Sequence, residues 1–427
     1  MTSTSLASDP VAPRSLLRRD RDFARLWVGE SVSAVGTQIS LLAIPLVAVQ
    51  LLHATPGQMG VLGALGTIPY LLFAVVAGVW ADRSRKRPLL IGAQIAEALL
   101  LLLIPVLALL GVFRLSHLFA IAFALGVAKV LFEVAYQSYL PQLVPRDDLV
   151  QANSRLSASA SVAEIGGPGL GGLLVSVLTA PFAIVVDAVS FLVSAVAVGR
   201  IQRREPAPVV DRHRRIRTEV AEGFRETVRN RYLLAFAGEA ATYNVAWSAI
   251  NALLVLWAVR ELGLSAATLG LLLSVGSVGA LLGALLTDRL ARRIGVGRAM
   301  WTSAVVSNIG VLLIPAAAGH PALVLAVLGI AFFLRGLGMT GTNVHTYAIR
   351  QAVTPVAMLG RSSAAYRVLT DGFVPLGALL GGLLGEAIGL RPALLVGALL
   401  LFPSWCWLYF SPARSLRTLP AAPENQG

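Results

Sequence analysis

The sequence is short of charge. Charged residues make up 13% of its 427 positions, against about 25% in an ordinary soluble domain. Such a chain cannot cover a water-facing surface, and with 56% hydrophobic residues it reads as membrane-embedded. It has one cysteine, Cys406, which excludes an internal disulfide. The five histidines (His53, His117, His213, His320, His345) are scattered without metal spacing, so no metal site is expected. There is no Gly-x4-Gly-Lys-Ser/Thr loop, so ATP is not the direct energy source. There is no His-Glu-x-x-His and no Gly-x-Ser-x-Gly with a plausible triad, so an enzyme is not expected either. No cofactor is implied. Acidic residues are outnumbered, 22 against 35 basic, for a formal charge of +13. In a soluble protein that balance would suggest nucleic acid. Here the placement of the charge in loops argues against it. Residues 1–24 are polar and Arg-rich and lack the apolar core of a cleavable signal peptide.

What the chain does have is long apolar runs. A membrane-spanning helix needs about 20 mostly apolar residues. Twelve runs qualify: 25–50, 58–80, 88–111, 116–139, 156–178, 182–199, 233–257, 266–287, 298–317, 321–347, 364–386 and 392–410. Of the 35 Lys and Arg residues, 30 fall in the tails and in alternate connections, and the intervening connections hold only Arg114, Arg260 and Arg391. By the positive-inside rule, both tails and the long 200–232 connection are cytoplasmic. In that connection Pro206 and Pro208 break the chain. Ile216, Val220, Phe224 and Val228 then recur at four-residue spacing among Arg and Glu. That pattern predicts an amphipathic helix on the membrane surface, near lipid phosphates. A solvated basic linker is the plainer alternative.

The chain also repeats itself. Asp82-Arg83 and Asp288-Arg289 each end an apolar run and are followed by more Arg. Thr55–Gly60 matches Ser265–Gly270. Pro145–Leu149 matches Pro355–Leu359, and Gly171-Gly172-Leu173-Leu174 matches Gly381-Gly382-Leu383-Leu384. Offsets of 206 to 210 predict an all-α integral membrane protein of two pseudo-symmetric six-helix halves, related by an axis along the membrane normal. The expected divisions are a tail at 1–24, a half at 25–199, a linker at 200–232, a half at 233–410 and a tail at 411–427.

Gly78-Val79-Trp80-Ala81-Asp82-Arg83-Ser84-Arg85-Lys86-Arg87 resembles the loop signature between helices 2 and 3 of the major facilitator superfamily. Gly167-Pro168-Gly169-Leu170-Gly171-Gly172 resembles the Gly-Pro element of its antiporters. Phe23–Trp27, Tyr136–Pro141 and Leu149–Ser154 resemble the drug:proton antiporter branch that includes macrolide efflux pumps and the enterobactin exporter. Departures from that branch include Thr37 after Gly36, Gln94 in helix 3, Ala284 in the second loop copy and Lys129 without the usual helix 4 companions. The resemblance implies the major facilitator fold and alternating access. It also implies efflux of a hydrophobic or amphipathic small molecule in exchange for protons, from the cytoplasmic membrane, by a monomer with lipids around it. An importer or lipid transporter of the same fold is the first rival. A non-transporting receptor or scaffold is the second, and mid-membrane charge argues against it.

A charge at mid-bilayer costs roughly 2.5–3.5 kcal/mol on insertion scales, so such residues mark a cavity or pair with one another. Lys129 and Arg335, 206 apart, are read as symmetry mates facing one cavity. Glu133 sits at i,i+4 from Lys129 and is the obvious partner. An acid withdrawn from water is what a proton carrier requires. Glu97, Glu133, Glu164 and Asp187 are the candidates. Glu30, Glu239 and Asp371 lie about two turns from the cytoplasm and are read as structural ion pairs, and Glu386 as a snorkelling helix end. Gln38 and Asn244, again 206 apart, are candidates for the cavity wall, as are Tyr70, Tyr136, Trp247 and Tyr366. Interhelical bonding and plain packing explain the polar pair and the aromatics as well. The gating motif is expected at Gly78, Asp82, Arg83, Arg87, Asp288 and Arg289, with Asp82 as a latch at a helix N-terminus. Gly167, Pro168, Gly171 and Gly172 are expected to bend helix 5 and let it approach helix 8 closely.

Overall fold

The computed structural model describes residues 16–205, 216–355 and 358–420. Among them twelve helices are long and apolar enough to cross a membrane. They are α1 (Arg21–Leu51), α2 (Pro56–Arg83), α3 (Lys86–Leu109), α4 (Leu115–Leu143), α5 (Leu149–Leu178), α6 (Ala180–Gly199), α7 (Arg231–Arg260), α8 (Ala266–Ile294), α9 (Val296–Leu313), α10 (Pro321–Val353), α11 (Arg361–Ile388) and α12 (Leu390–Tyr409). Helices α1–α6 pack mainly on one another, and so do α7–α12. This is the major facilitator fold. Several helices outrun the apolar stretches that announce them. α2 continues through Asp82-Arg83, and α5 begins at Leu149, not 156. The extra turns carry Arg, Gln and Asn, which tolerate a helix once it has left the hydrocarbon.

An even number of spans puts both described chain ends on one side, here called the terminal face. The other side is the far face. The Thr55 and Ser265 landmarks are helix N-caps on the far face. Thr55 Oγ1 accepts from Gln58 N (3.4 Å) while Gln58 Oε1 accepts from Thr55 N (2.9 Å), a closed capping box at the start of α2. Ser265 Oγ accepts from Thr268 N (3.1 Å) at the start of α8.

Two helix pairs join the halves: α2 with α11, and α5 with α8. Each pair meets at opposed glycines. A Cβ on Gly60 would lie 2.8 Å from Gly382 Cα, and a Cβ on Gly270 would lie 3.0 Å from Gly172 Cα. Both partners differ by 210 from their mates, so the two seams are copies. Without side chains there, backbones touch directly. Hydrogen bonds reinforce the far side. Glu386 Oε2 accepts from Gly57 N (2.9 Å), Ser176 Oγ accepts from Ala267 N (3.1 Å), and Arg260 donates to Ala54 O (2.9 Å). Glu386 is therefore a clasp between halves, not a free helix end.

Toward the terminal face the halves part. α11 is broken, Leu359–Asp371 followed by Val374–Ile388, where Gly372 and Pro375 interrupt the helical ladder. α2 packs on the Val374–Ile388 segment, whereas Leu359–Asp371 packs on α7 and on a linker helix, Ile216–Arg229. Side chains of α7 meet the carbonyls on either side of the break, and the first of them, Thr370 O, has no helical partner among the described residues. Asn244 Nδ2 donates to Thr370 O (3.1 Å), and Ser248 Oγ donates to Val374 O (2.8 Å). The expected break at Pro206 and Pro208 lies outside the described residues.

Candidate translocation site

The N-terminal half buries a polar cluster between α1, α3 and α6. Gln94, fully buried, donates to Ser194 Oγ (2.6 Å) and reaches Glu30 Oε1 (3.5 Å). The other half has a matching bond, Asn308 Nδ2 to Ser404 Oγ (3.1 Å), with Ser194 and Ser404 210 apart. Asp187 is 1% exposed and accepts from Ser190 Oγ (3.1 Å). Glu97 is 5% exposed, and its Oε2 has no hydrogen-bond partner among the described residues. Asp187, Lys129, Glu30 and Glu133 all lie within electrostatic reach of Glu97. Glu30, Glu97, Glu133 and Asp187 are thus gathered near Lys129.

A second group bridges the halves. Arg367 Nη2 lies 3.9 Å from Glu133 Oε2, and its Nε lies 3.7 Å from Asp371 Oδ2. Its guanidinium carbon sits 5.1 Å from the Tyr70 ring centroid. Asn244 Nδ2 reaches Asp371 Oδ1 at 3.5 Å. The members come from α2, α4, α7 and α11, two helices from each half. Arg367 sits one turn before the α11 break, so its helix segment is the one that parts from α2.

This arrangement corrects the expected Lys129–Glu133 pair. Glu133 turns across the seam to Arg367, and among the described residues Lys129 has no ion pair. Lys129 is exposed on the same helical stripe as Glu133, which faces the other half. Arg335 differs from its sequence mate. Its guanidinium stacks on Trp247, 3.4 Å from the ring centroid, and its Nε is buried without a hydrogen bond. The aromatic partner supplies a cation–π contact in place of a carboxylate. Asp371 joins the bridging group, while Glu239 is 7% exposed and has no ion pair among the described residues.

Other candidates lie apart. Glu164 is exposed on α5, and its backbone carbonyl accepts from Ser277 Oγ (2.7 Å). Gln38 packs on α5, where a Cβ on Gly167 would strike its side chain. The small-residue stretch of α5 serves two neighbours. Gly167 and Gly171 receive α1, whereas Pro168, Gly169 and Gly172 face α8.

At the loop signature, Lys86 Nζ donates to Ala81 O and to Ser84 O (2.9 Å). Arg87 donates to the carbonyls of Val198 (3.2 Å) and Gly199 at the end of α6. Glu205 accepts from the backbone N–H of Lys86 and of Arg87 (3.2 Å), placing an anion at the α3 N-terminus. The anion at that helix start is therefore Glu205. The side chain of Asp82 lies outside the described residues. Arg83 is exposed, and Gly78 has open space where a side chain would be. In the second copy, Asp288 and Arg289 are exposed, and Asp288 lines a groove of about 980 Å³ with Arg292, Arg293, Arg298, His345 and Arg417. The α9 N-terminus is met by carbonyls of the C-terminal segment, Leu416 O to Gly297 N at 2.9 Å.

Arg367 and Glu205 escape the sequence reading. Arg367 falls at the polar edge of an apolar run and counts there as a loop cation. Its i,i+4 relation to Asp371, just before Gly372 and Pro375, is the signal that marks it. Glu205 lies 118 residues from Arg87, and nothing local announces the contact.

The whole arrangement has counterparts. Residues 11–426 match the family model described as transmembrane secretion effector. The chain belongs to this family of major facilitator superfamily transporters. It is a transporter, not an enzyme. It is similar to the uncharacterized MFS-type transporter YfiS of Bacillus subtilis (strain 168), with 26% identity over 398 residues, 91% of this chain and 92% of the relative. It is also similar to the enterobactin exporter EntS of Citrobacter koseri, with 26% identity over 381 residues and 86% of each chain covered. Among solved structures it resembles the nucleoside transporter NupG, with a TM-score of 0.71 at 13% identity over 91% of this chain and 99% of that one. A bacterial homologue of the iron transporter ferroportin in its inward-facing state also gives a TM-score of 0.71, at 18% identity, covering 94% and 100%. At these identities the solved structures speak for the fold.

Proposed function

We propose that this transporter is a proton-coupled exporter of an amphipathic small molecule. In this reading it lies in the cytoplasmic membrane as a monomer with its terminal face in the cytoplasm. The observation that carries the reading is Arg367, shared by Glu133 of one half and Asp371 of the other, in a seam clasped at the far face and parted toward the terminal face. A solute entering from the terminal side meets one cation held by two competing acids, with Tyr70 beside it. An anionic group of the solute would compete with Glu133 and Asp371 for Arg367, and its departure would restore the bridge between the halves. The buried Glu97, near Lys129 and Asp187, is the group that would carry the proton in the opposite direction. Similarity to a protein named as an enterobactin exporter supports outward direction. Mid-membrane charge held on both sides of a seam supports transport over scaffolding, which requires none.

The test is uptake into inside-out vesicles with an imposed pH gradient and a panel of amphipathic anions and cations. Gradient-driven uptake is expected, with at least a tenfold loss in Arg367→Gln and Glu97→Gln at equal membrane insertion. Uptake that ignores the gradient would remove proton exchange. Normal rates in both variants would remove the site.

A further inference from the structure

The linker helix Ile216–Arg229 has two faces with different chemistry. One is turned to the protein. Gly223 meets the backbone of Arg361, so closely that a Cβ there would overlap its carbonyl group. Thr227 is fully buried and its hydroxyl bonds Gly223 O (2.8 Å). Glu222 pairs with Arg361 (2.6 Å). The other face is turned away. Phe224 and Val228 are 46% and 43% exposed, and Arg225 and Arg229 beside them are exposed too. At 100° per residue these four occupy one continuous arc, opposite Gly223 and Thr227. Of the two described acids at the edge of this arc, Glu222 is engaged with Arg361, and Glu226 pairs with neither arginine. The side chains of Ile216 and Val220 lie outside the described residues.

We propose that this outer face is a docking surface for anionic phospholipid. Phe224 and Val228 would enter the headgroup boundary, and Arg225 and Arg229 would meet lipid phosphates. Two apolar residues flanked by two guanidinium groups, neither in an ion pair among the described residues, fit that occupant by charge and by amphipathic geometry. A soluble acidic partner would match the arginines but leave the apolar pair without a use. The inner face gives the contact a consequence. It grips Leu359–Asp371, the segment of α11 that carries Arg367 and lies below the break. Lipid held on the outer face therefore anchors the parted side of the seam to the membrane surface. The lipid contact itself does not depend on proton exchange or on the direction of transport.

The experiment uses the full chain with Cys406 replaced by serine and a single fluorophore on Val228→Cys. It is reconstituted with brominated phosphatidylglycerol or brominated phosphatidylcholine, each diluted in unlabelled phosphatidylcholine. Stronger quenching by the brominated anionic lipid is expected. The preference should fall about thirtyfold in Arg225→Gln/Arg229→Gln, at about fivefold per arginine near an anionic surface. It should persist in Arg225→Lys/Arg229→Lys, which keeps the charge and guards against misfolding. Equal quenching by the two lipids would overturn the proposal. So would quenching by neither, as expected if a soluble protein covers this face, or a preference that survives loss of both charges.

Discussion

Replacing Gly60 by alanine adds one methyl group at the point where α2 meets α11. That methyl would lie 2.6 Å from Ala378 O and 2.8 Å from Gly382 Cα. Both obstacles are backbone, so neither can rotate away. The helices must separate, and overpacking of this kind costs about 1–3 kcal/mol. Alanine also favours the helix by roughly 1 kcal/mol over glycine. That gain applies wherever α2 is helical, whether the far face is closed or open, so it cancels in the balance between the two states. The clash exists only when the seam is closed. The ratio of closed to open molecules should therefore fall about 5- to 150-fold. Gly66 on the same helix is the internal control, because a Cβ there meets nothing within 4 Å. The assay is a double electron–electron resonance distance between spin labels on Leu52, just before α2, and Ile388, at the far end of α11, in Gly60→Ala, Gly66→Ala and the parent. Gly60→Ala should shift the distribution to longer distances while Gly66→Ala leaves it in place. If both variants give the parent distribution, the glycine contact does not hold the seam.

Two further outcomes follow from the hydrogen bonds. Glu386→Ala removes an anion from a helix N-terminus, worth about two- to fivefold in a state ratio. It should raise solvent accessibility at the far face more than Ser176→Ala, measured by maleimide labelling of cysteines placed on either seam. Equal effects would mean that charge contributes nothing to the clasp. Asn244→Ala should leave Thr370 O unsatisfied at the α11 break, a loss of about 1–3 kcal/mol, whereas Ser248→Ala removes only a second bond to Val374 O, which the helix itself engages, and should cost less. Each should lower the thermal unfolding midpoint, and the two together should raise hydrogen exchange selectively over 365–375. Unchanged midpoints would show that another group or water fills the carbonyls.

The architecture was legible because hydropathy and repetition are properties of long stretches. Apolar run lengths located the helices, and offsets near 210 paired Thr55 with Ser265 and pointed to the two halves; that both residues are N-caps appears only in the structure. The glycines of α5 signalled a close helix contact, but sequence could not divide them between α1 and α8. The bridging group was far less legible. Helical spacing offered Lys129 to Glu133, and only the fold reveals that Arg367 stands across the seam from it. The clasp at Glu386 was hidden for a similar reason. An acid at a helix end looks solvated until a second helix start is placed against it, 329 residues away in sequence. Symmetry also misled at Arg335, whose partner Trp247 gives it an aromatic neighbour that Lys129 lacks.

The two far-face clasps are copies in position but unlike in chemistry. On the α2–α11 flank a carboxylate holds a helix start; on the α5–α8 flank a hydroxyl does. Two unequal fasteners on one rim do not release together. By charge alone the hydroxyl-held flank would yield first, with the halves swinging like a door hung on the carboxylate side instead of parting as parallel jaws. An opening at the far face would then begin as a slot beside α5 and α8 before any central passage forms.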